Sequence, residues 1–371
     1  MFLRLFLSLV MITSLLAQAT GETSAKSSNV RQSHASVGGR IVSDSFIARS
    51  LQGNLLGDDI ERKVLVYLPP TYDTAPQRRY PVIYLLHGYG GRIESWDDGR
   101  IKNLHIKDDM NRLIAAREIG EMIIVMPDSR NRYAGSHYAN SSVTGGWADA
   151  IARDLVEHID RKYRTIASPD SRGLAGWSMG GVGALSLAMQ YPGVYGSVYA
   201  LSSGRMDFAH ASPINDEVWK RVLELQRNHP ASYEFKIPEE VPELRAISFA
   251  AAFSPNPNRR PFMADLPVQL VDDKLKIIPS VWQQWLAHDP VALVKTHASD
   301  LRALRAFQFD CDASDPNVEA NREFSRALRV ARVPHVYEEY DPHEGDDPHS
   351  GHVGERIVKR MLPFFSSHLR R

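Results

Sequence analysis

Gly176-Trp177-Ser178-Met179-Gly180-Gly181, a serine with a glycine two residues to either side, is the sharpest chemical signal in this 371-residue chain. The apolar Gly173-Leu174-Ala175 precedes it, and a run rich in small residues (Gly183, Ala184, Ala188) follows. Strand, tight turn, helix is the context in which a serine becomes an exposed nucleophile. The glycines permit the strained turn, and the helix brings its positive end to the hydroxyl. A serine hydroxyl is a weak nucleophile, so a base and an orienting acid must accompany it. The expected chain order is Ser, then Asp or Glu, then His. Two downstream strand-like segments supply candidates. Phe307–Cys311 leads into Asp312-Ala313-Ser314-Asp315, and Val336–Tyr340 leads into a loop holding His343, His349 and His352. Acyl transfer also needs N–H donors for the developing oxyanion. Met179, next after the nucleophile, offers one; Tyr89, in His87-Gly88-Tyr89-Gly90-Gly91 after the run Val82–Leu86, offers another. Tyr133, Tyr138 and Asn140 form an aromatic and amide cluster that could line the pocket.

The elements that must position these groups alternate in kind. Val64–Leu68, Val82–Leu86, Met122–Met126, Ser197–Leu201, Phe307–Cys311 and Val336–Tyr340 are short apolar or β-rich runs, several of them stopped by proline. Such runs suit strands covered on both faces, as in a mostly parallel sheet. Between them Ile151, Leu155 and Ile159 recur at helical spacing, and a last helix is expected from about Val353. The pattern predicts one α/β domain. It breaks between about 205 and 300. Trp219, Val222 and Leu223, and later Val281, Trp282, Trp285 and Leu286, have helical spacing, with a proline-rich stretch between them. This region is expected to be a largely helical insertion, a lid or a cap, over one end of the sheet.

Composition excludes several classes. Lys+Arg and Asp+Glu both total 44, so no whole-chain field attracts nucleic acid or an anionic membrane. One cysteine, Cys311, rules out an intrachain disulfide framework and a thiolate zinc site. Arg4, the apolar run Leu5 to Leu16 and Ala17-Gln18-Ala19 read as a signal peptide over residues 1–19. About a dozen apolar residues are too few to span ~30 Å of hydrocarbon, so no stable membrane anchor is expected after cleavage. Residues 20–38, rich in Ser, Thr and Gly, are expected to be a disordered leader, and residues 39–371 the catalytic domain. A secreted or periplasmic location follows. The segment from Asp341 to His352 has enough imidazoles and carboxylates for a metal, but no helix sets its histidines on one face.

The segments YLPPTYD, RRYPVIYLLHGYGG, IIVMPDS, HYANSSVTG and RDLVEHIDRKYRTIASPDSRGLAGWSMGG resemble the esterase D-like (putative esterase) family of α/β-hydrolases. NREFSRAL, VPHVYEEY and VKRMLPFFSSHL extend the likeness, leaving the insertion poorly matched. The family includes feruloyl and acetyl esterases, S-formylglutathione hydrolases and mycolyltransferases. The resemblance implies an α/β-hydrolase fold, a Ser-Asp-His triad, acyl-enzyme chemistry on small or carbohydrate esters, and no cofactor or metal. It also selects among the candidates. Relatives carry their histidine five residues before the glycine of a G-E-R-I-like stretch; Gly354-Glu355-Arg356-Ile357 matches it and points to His349. Asp315 occupies the matching acid position. Asp312 stands where the family has a glycine, and Pro348 precedes the histidine in place of glycine or threonine. The expected function is an exported serine esterase. The alternatives are acyl transfer to a sugar alcohol, or an inactive carbohydrate- or metal-binding scaffold.

Overall fold

A computed structural model describes residues 38–210, 212, 214–341 and 345–371. The expected signal peptide, nearly all of the leader, and His343 lie outside the described residues. Eight strands form the main sheet: β1 (Arg40–Ile47), β2 (Glu61–Leu68), β3 (Val82–Leu86), β4 (Ile123–Pro127), β5 (Arg172–Trp177), β6 (Ser197–Leu201), β7 (Ala306–Asp312) and β8 (Val336–Tyr340). Their order is β1-β2-β4-β3-β5-β6-β7-β8. β1 pairs antiparallel with β2, and β2 with β4; all the other neighbours are parallel.

The central strands are buried on both faces, as their unalternating apolar sequences require. Val82, Tyr84 and Leu86 of β3 pack into one core, and Ile83 and Leu85 into the other. The first core is roofed by a helical run, α2 (147–162), with a π-helical turn at Ala150–Leu155, and by α3 (Met179–Gln190). The second is covered by α1 (Ile106–Ala115) and the terminal run α9 (353–368). Helices thus lie on both faces of the sheet.

The insertion has its own core. It contains α4 (Asp216–Asn228), α5 (Val241–Phe253), a two-stranded hairpin (Val268–Val271 with Lys274–Ile277) and α6 (Pro279–Leu286). Trp219, Ile247, Phe262 and Trp285 are buried together there. The proline-rich stretch holds α5, since Pro242 falls in the first helical turn where no N–H is needed. One expectation needs correction: the boundary near 300 moves back. α7 (Pro290–Arg302) buries Val294 and Leu301 in the main core with α3 and α8 (Val318–Val330), so the separately packed part ends near Asp289.

A buried ion pair ties the end of the sheet to α9. Asp310, fully buried on β7, accepts from Tyr199 Oη at 2.6 Å and from Arg356 Nε at 2.9 Å. Arg356 also reaches Glu338 on β8 and lies 4.5 Å from the Tyr340 ring centroid. Burial pushes the Asp310 carboxyl up, and the guanidinium opposes it. Arg356→Leu leaves that carboxylate unpaired, and is expected to cost about 3 kcal/mol of stability. The measurement is the urea unfolding midpoint at unchanged slope; a midpoint equal to wild type would show that the pair contributes nothing.

Candidate active site

β5 ends at Trp177 and α3 begins at Met179, so Ser178 alone makes the turn, with φ 55° and ψ −117°. That conformation costs about 1–3 kcal/mol and persists only where its surroundings fix it. They do: Ser178 N donates to Leu201 O, and its carbonyl accepts from Val182 N and Gly204 N. A Cβ on Gly176 would overlap the Gly180 carbonyl, and one on Gly180 would overlap the Leu86 carbonyl. The two flanking glycines are therefore steric requirements of the turn.

Three loops meet at the serine hydroxyl. His349 Nε2 lies 2.8 Å from Ser178 Oγ, and His349 Nδ1 lies 2.7 Å from Asp315 Oδ2. Asp315 is buried at the end of the β7 loop, and its other oxygen accepts from Asn317 N at 2.7 Å and Asn317 Nδ2 at 3.0 Å. The carboxylate is thus held by donors on both oxygens. His349 sits in a turn closed by Asp347, whose Oδ1 accepts from the N–H groups of His349 and Ser350. The Ser350 hydroxyl, which donates to the same oxygen, and these N–H groups hold the Asp347 carboxyl below the usual range. Pro348 fits because this turn asks no N–H of that position. Trp177 Nε1 donates to His349 O at 3.0 Å, anchoring the histidine loop to the elbow.

The competing residues pair with each other instead. His352 is buried, with Nε2 3.7 Å from Asp312 Oδ2, and its ring meets Tyr340 edge-on. Asp312 also caps its own turn through Ser314 N.

The glycine loop after β3 runs against the elbow. A Cβ on Gly88 would lie 3.3 Å from Ser178 Cβ. Among the described residues no hydrogen bond takes up the Tyr89 or Met179 N–H, and both residues line the same cavity as Ser178. His87 fixes the peptide between Gly88 and Tyr89. Its Nε2 accepts from Ser129 N at 2.9 Å, so Nδ1 carries the proton and donates to Gly88 O at 2.8 Å. Gly91 N donates to the same oxygen. In a trans peptide the N–H points opposite to the carbonyl, so two donors on Gly88 O set the direction of the Tyr89 N–H. Burial lowers the His87 pKa, which keeps the ring neutral.

The cavity beside Ser178 holds about 360 Å³. One wall is a stripe of α3, Met179, Val182, Ser186 and Gln190; the other comes from the insertion, Arg205, Phe208, Arg245, Phe249, Phe253 and His288. Tyr138 lines it, and its buried hydroxyl donates to His87 O at 2.9 Å. Tyr133 and Asn140 do not line it. Tyr133 Oη is engaged by Phe262 O, while Asn140 faces solvent and donates to Asp149. His137, unforeseen from sequence, stacks on Phe249 with centroids 3.9 Å apart; burial takes its pKa down to about 3. Burial takes His288, stacked on Phe253, down to about 4. Both imidazoles are uncharged at neutral pH. No group of three or more His, Cys, Asp or Glu among the described residues could hold a metal ion.

Sheet order, elbow and loop positions together define an α/β-hydrolase. The chain belongs to the putative esterase family, whose profile matches residues 59–352. It is 40% identical over 155 residues to Esterase Rv1288 of Mycobacterium tuberculosis, covering 39% of this chain and 30% of that protein. It is 30% identical over 143 residues to an endo-1,4-beta-xylanase/feruloyl esterase of Xylanibacter ruminicola, covering 38% of this chain and 19% of the relative. The chain thus spans less than a third of the length of either. Among solved structures, a ferulic acid esterase superposes with TM-score 0.59 at 22% identity, covering 89% of this chain and 98% of that one. An S-formylglutathione hydrolase from Agrobacterium tumefaciens gives 0.56 at 16%, covering 90% and 97%. At these identities the superpositions establish the fold.

Proposed function

We propose that the protein is a serine esterase that cleaves carboxylic esters through an acyl-enzyme on Ser178. The observation that carries this reading is the continuous relay from Ser178 Oγ to His349 to Asp315, at 2.8 and 2.7 Å. His349 Nε2 takes the serine proton as Oγ attacks the ester carbonyl. The oxyanion accepts from the Tyr89 and Met179 N–H groups. His349 then passes the proton to the leaving alcohol oxygen, and the C–O bond breaks. Water, deprotonated by the same nitrogen, attacks the acyl carbon; the bond from that carbon to Ser178 Oγ breaks, His349 returns the proton to Oγ, and the acid leaves. Asp315 holds the imidazole tautomer and stabilises the imidazolium without itself taking the proton. No step calls for a metal or cofactor.

Acyl groups on polysaccharides, feruloyl or acetyl, are the substrates we favour. The export read from residues 1–19 supports that choice, since it sets the enzyme where such polymers are met, and so does the family likeness to feruloyl esterases. The aromatic wall of Phe208, Phe249 and Phe253 suits an arene or an acyl chain. The test is hydrolysis of a panel holding nitrophenyl acetate, nitrophenyl butyrate and methyl ferulate. Turnover of the nitrophenyl esters supports the esterase reading, and turnover of methyl ferulate supports the feruloyl one. A panel left intact by folded protein would end both.

His87 gives a sharper test of the oxyanion donors. His87→Gln is expected to lower kcat on the order of 10²-fold, because the Tyr89 N–H loses its fixed direction. Binding of a trifluoromethyl ketone, which forms a tetrahedral adduct on the serine, should weaken in parallel, with KM moving much less. A variant with wild-type kcat and wild-type ketone affinity would detach His87 from the chemistry.

A further inference from the structure

The cavity beside Ser178 has an uneven electrostatic lining. Among the described residues two arginines, Arg205 and Arg245, contribute to its wall, and no Asp or Glu does. This contrasts with a chain in which the two charge types balance. Arg205 is partly neutralised, since its Nη1 lies 3.1 Å from Oδ1 of the buried Asp207. Arg245 is different. Among the described residues no ion pair or hydrogen bond occupies its guanidinium, and the residue stands exposed on the rim. Its placement follows from α5. Arg245, Phe249 and Phe253 recur every four residues, so they form one stripe on one face, and all three line the cavity. A rise of about 1.5 Å per residue sets the backbone positions of Arg245 and Phe249 roughly 6 Å apart along the helix. The wall thus reads, from rim inward, as cation and then arenes. His137 and His288, the other basic groups on this side, are kept neutral by burial, and the Arg245 charge adds to that effect at His137.

An unpaired guanidinium at the edge of an apolar cavity has a natural complement in a carboxylate, which its planar fork binds through two parallel hydrogen bonds. We propose that the cavity takes esters carrying a carboxylate in addition to the scissile ester, and that Arg245 is the residue that selects them. The inference rests on the esterase reading and narrows its substrate class. In chemical terms the substrate is a half-ester of a dicarboxylic acid, or an ester of an alcohol or phenol that bears a carboxylate.

Matched pairs of esters test this and show which side of the ester carries the charge. On the alcohol side the pair is 4-acetoxybenzoate and its methyl ester; on the acyl side it is 4-nitrophenyl hydrogen adipate and 4-nitrophenyl methyl adipate. Each kcat/KM is divided by the rate of hydroxide hydrolysis, and the charged-to-neutral ratio is compared between wild type, Arg245→Gln and Arg245→Lys. In one pair the wild-type ratio is expected to exceed that of Arg245→Gln by about tenfold, the scale of a charge-assisted hydrogen bond. Arg245→Lys should recover part of it, and raised salt should erode the wild-type ratio. Ratios unchanged by Arg245→Gln in both pairs would overturn the proposal. The neutral members report on the esterase reading separately. If wild type hydrolyses them and Ser178→Ala does not, that reading stands whatever the charged members show. If wild type hydrolyses none of the four, both readings fall.

Discussion

Ser178→Ala is expected to lower kcat on the order of 10⁵-fold on nitrophenyl acetate while leaving the fold intact. The substitution removes the attacking atom, and in triad hydrolases such a loss costs nearly as much as losing the whole relay. Residual turnover would come from the oxyanion donors and from binding, which the variant keeps. The backbone at Ser178 has φ 55°, a strained value for alanine as for serine, so thermal stability should change little. KM should also move little, because Oγ forms its bond only in the transition state. Near-native kcat in a folded Ser178→Ala protein would refute the acyl-enzyme.

The second large effect separates two histidines three residues apart. His349→Ala is expected to lower kcat on the order of 10⁴-fold, since one imidazole serves as general base and then as acid to the leaving group. His352→Gln is expected to cost less than about tenfold in kcat. His352 is buried beside Asp312 and meets Tyr340 edge-on, away from Ser178, so its loss acts on packing rather than on the chemistry. Its loss should therefore appear as a lower melting temperature. A nearly active His349→Ala protein beside a folded but inactive His352→Gln protein would exchange the two roles while leaving the fold and reaction class in place.

The machinery close to the chemistry was legible because it is local. The elbow is a six-residue motif whose glycines answer to hard overlaps with the Gly180 and Leu86 carbonyls. Asp315 and His349 follow strand-like segments visible in the sequence, and the structure brings His349 to Ser178 and Asp315 to His349. The departures at Asp312 and Pro348 have local explanations. Asp312 pairs with the buried His352, and Pro348 occupies a turn whose N–H donors lie on its neighbours.

The cavity wall was not legible, because it is assembled from distant segments. Phe208, Arg245 and His288 meet Val182 and Gln190 only through the packing of the insertion. Proline-rich composition concealed α5, although Pro242 sits at a position that tolerates proline. Tyr133 and Asn140 are near Tyr138 in sequence, yet of the three only Tyr138 lines the cavity. Residue 138 itself has φ 52°, and His137 before it has φ 51°. Two successive left-handed residues turn the chain sharply there, and a sequence pattern does not register such a turn. The strand β1 was missed for a related reason: RIVSDSFI is mixed in polarity and pairs only at the sheet edge.

The most direct test of the central claim is the intact mass of the protein after exposure to a fluorophosphonate, followed by peptide mapping. The account predicts one adduct per chain, carried on the peptide containing Ser178. The adduct should be absent from Ser178→Ala and should form far more slowly in His349→Ala. Wild-type protein that stays unlabelled, or that carries the label on a different residue, would contradict it.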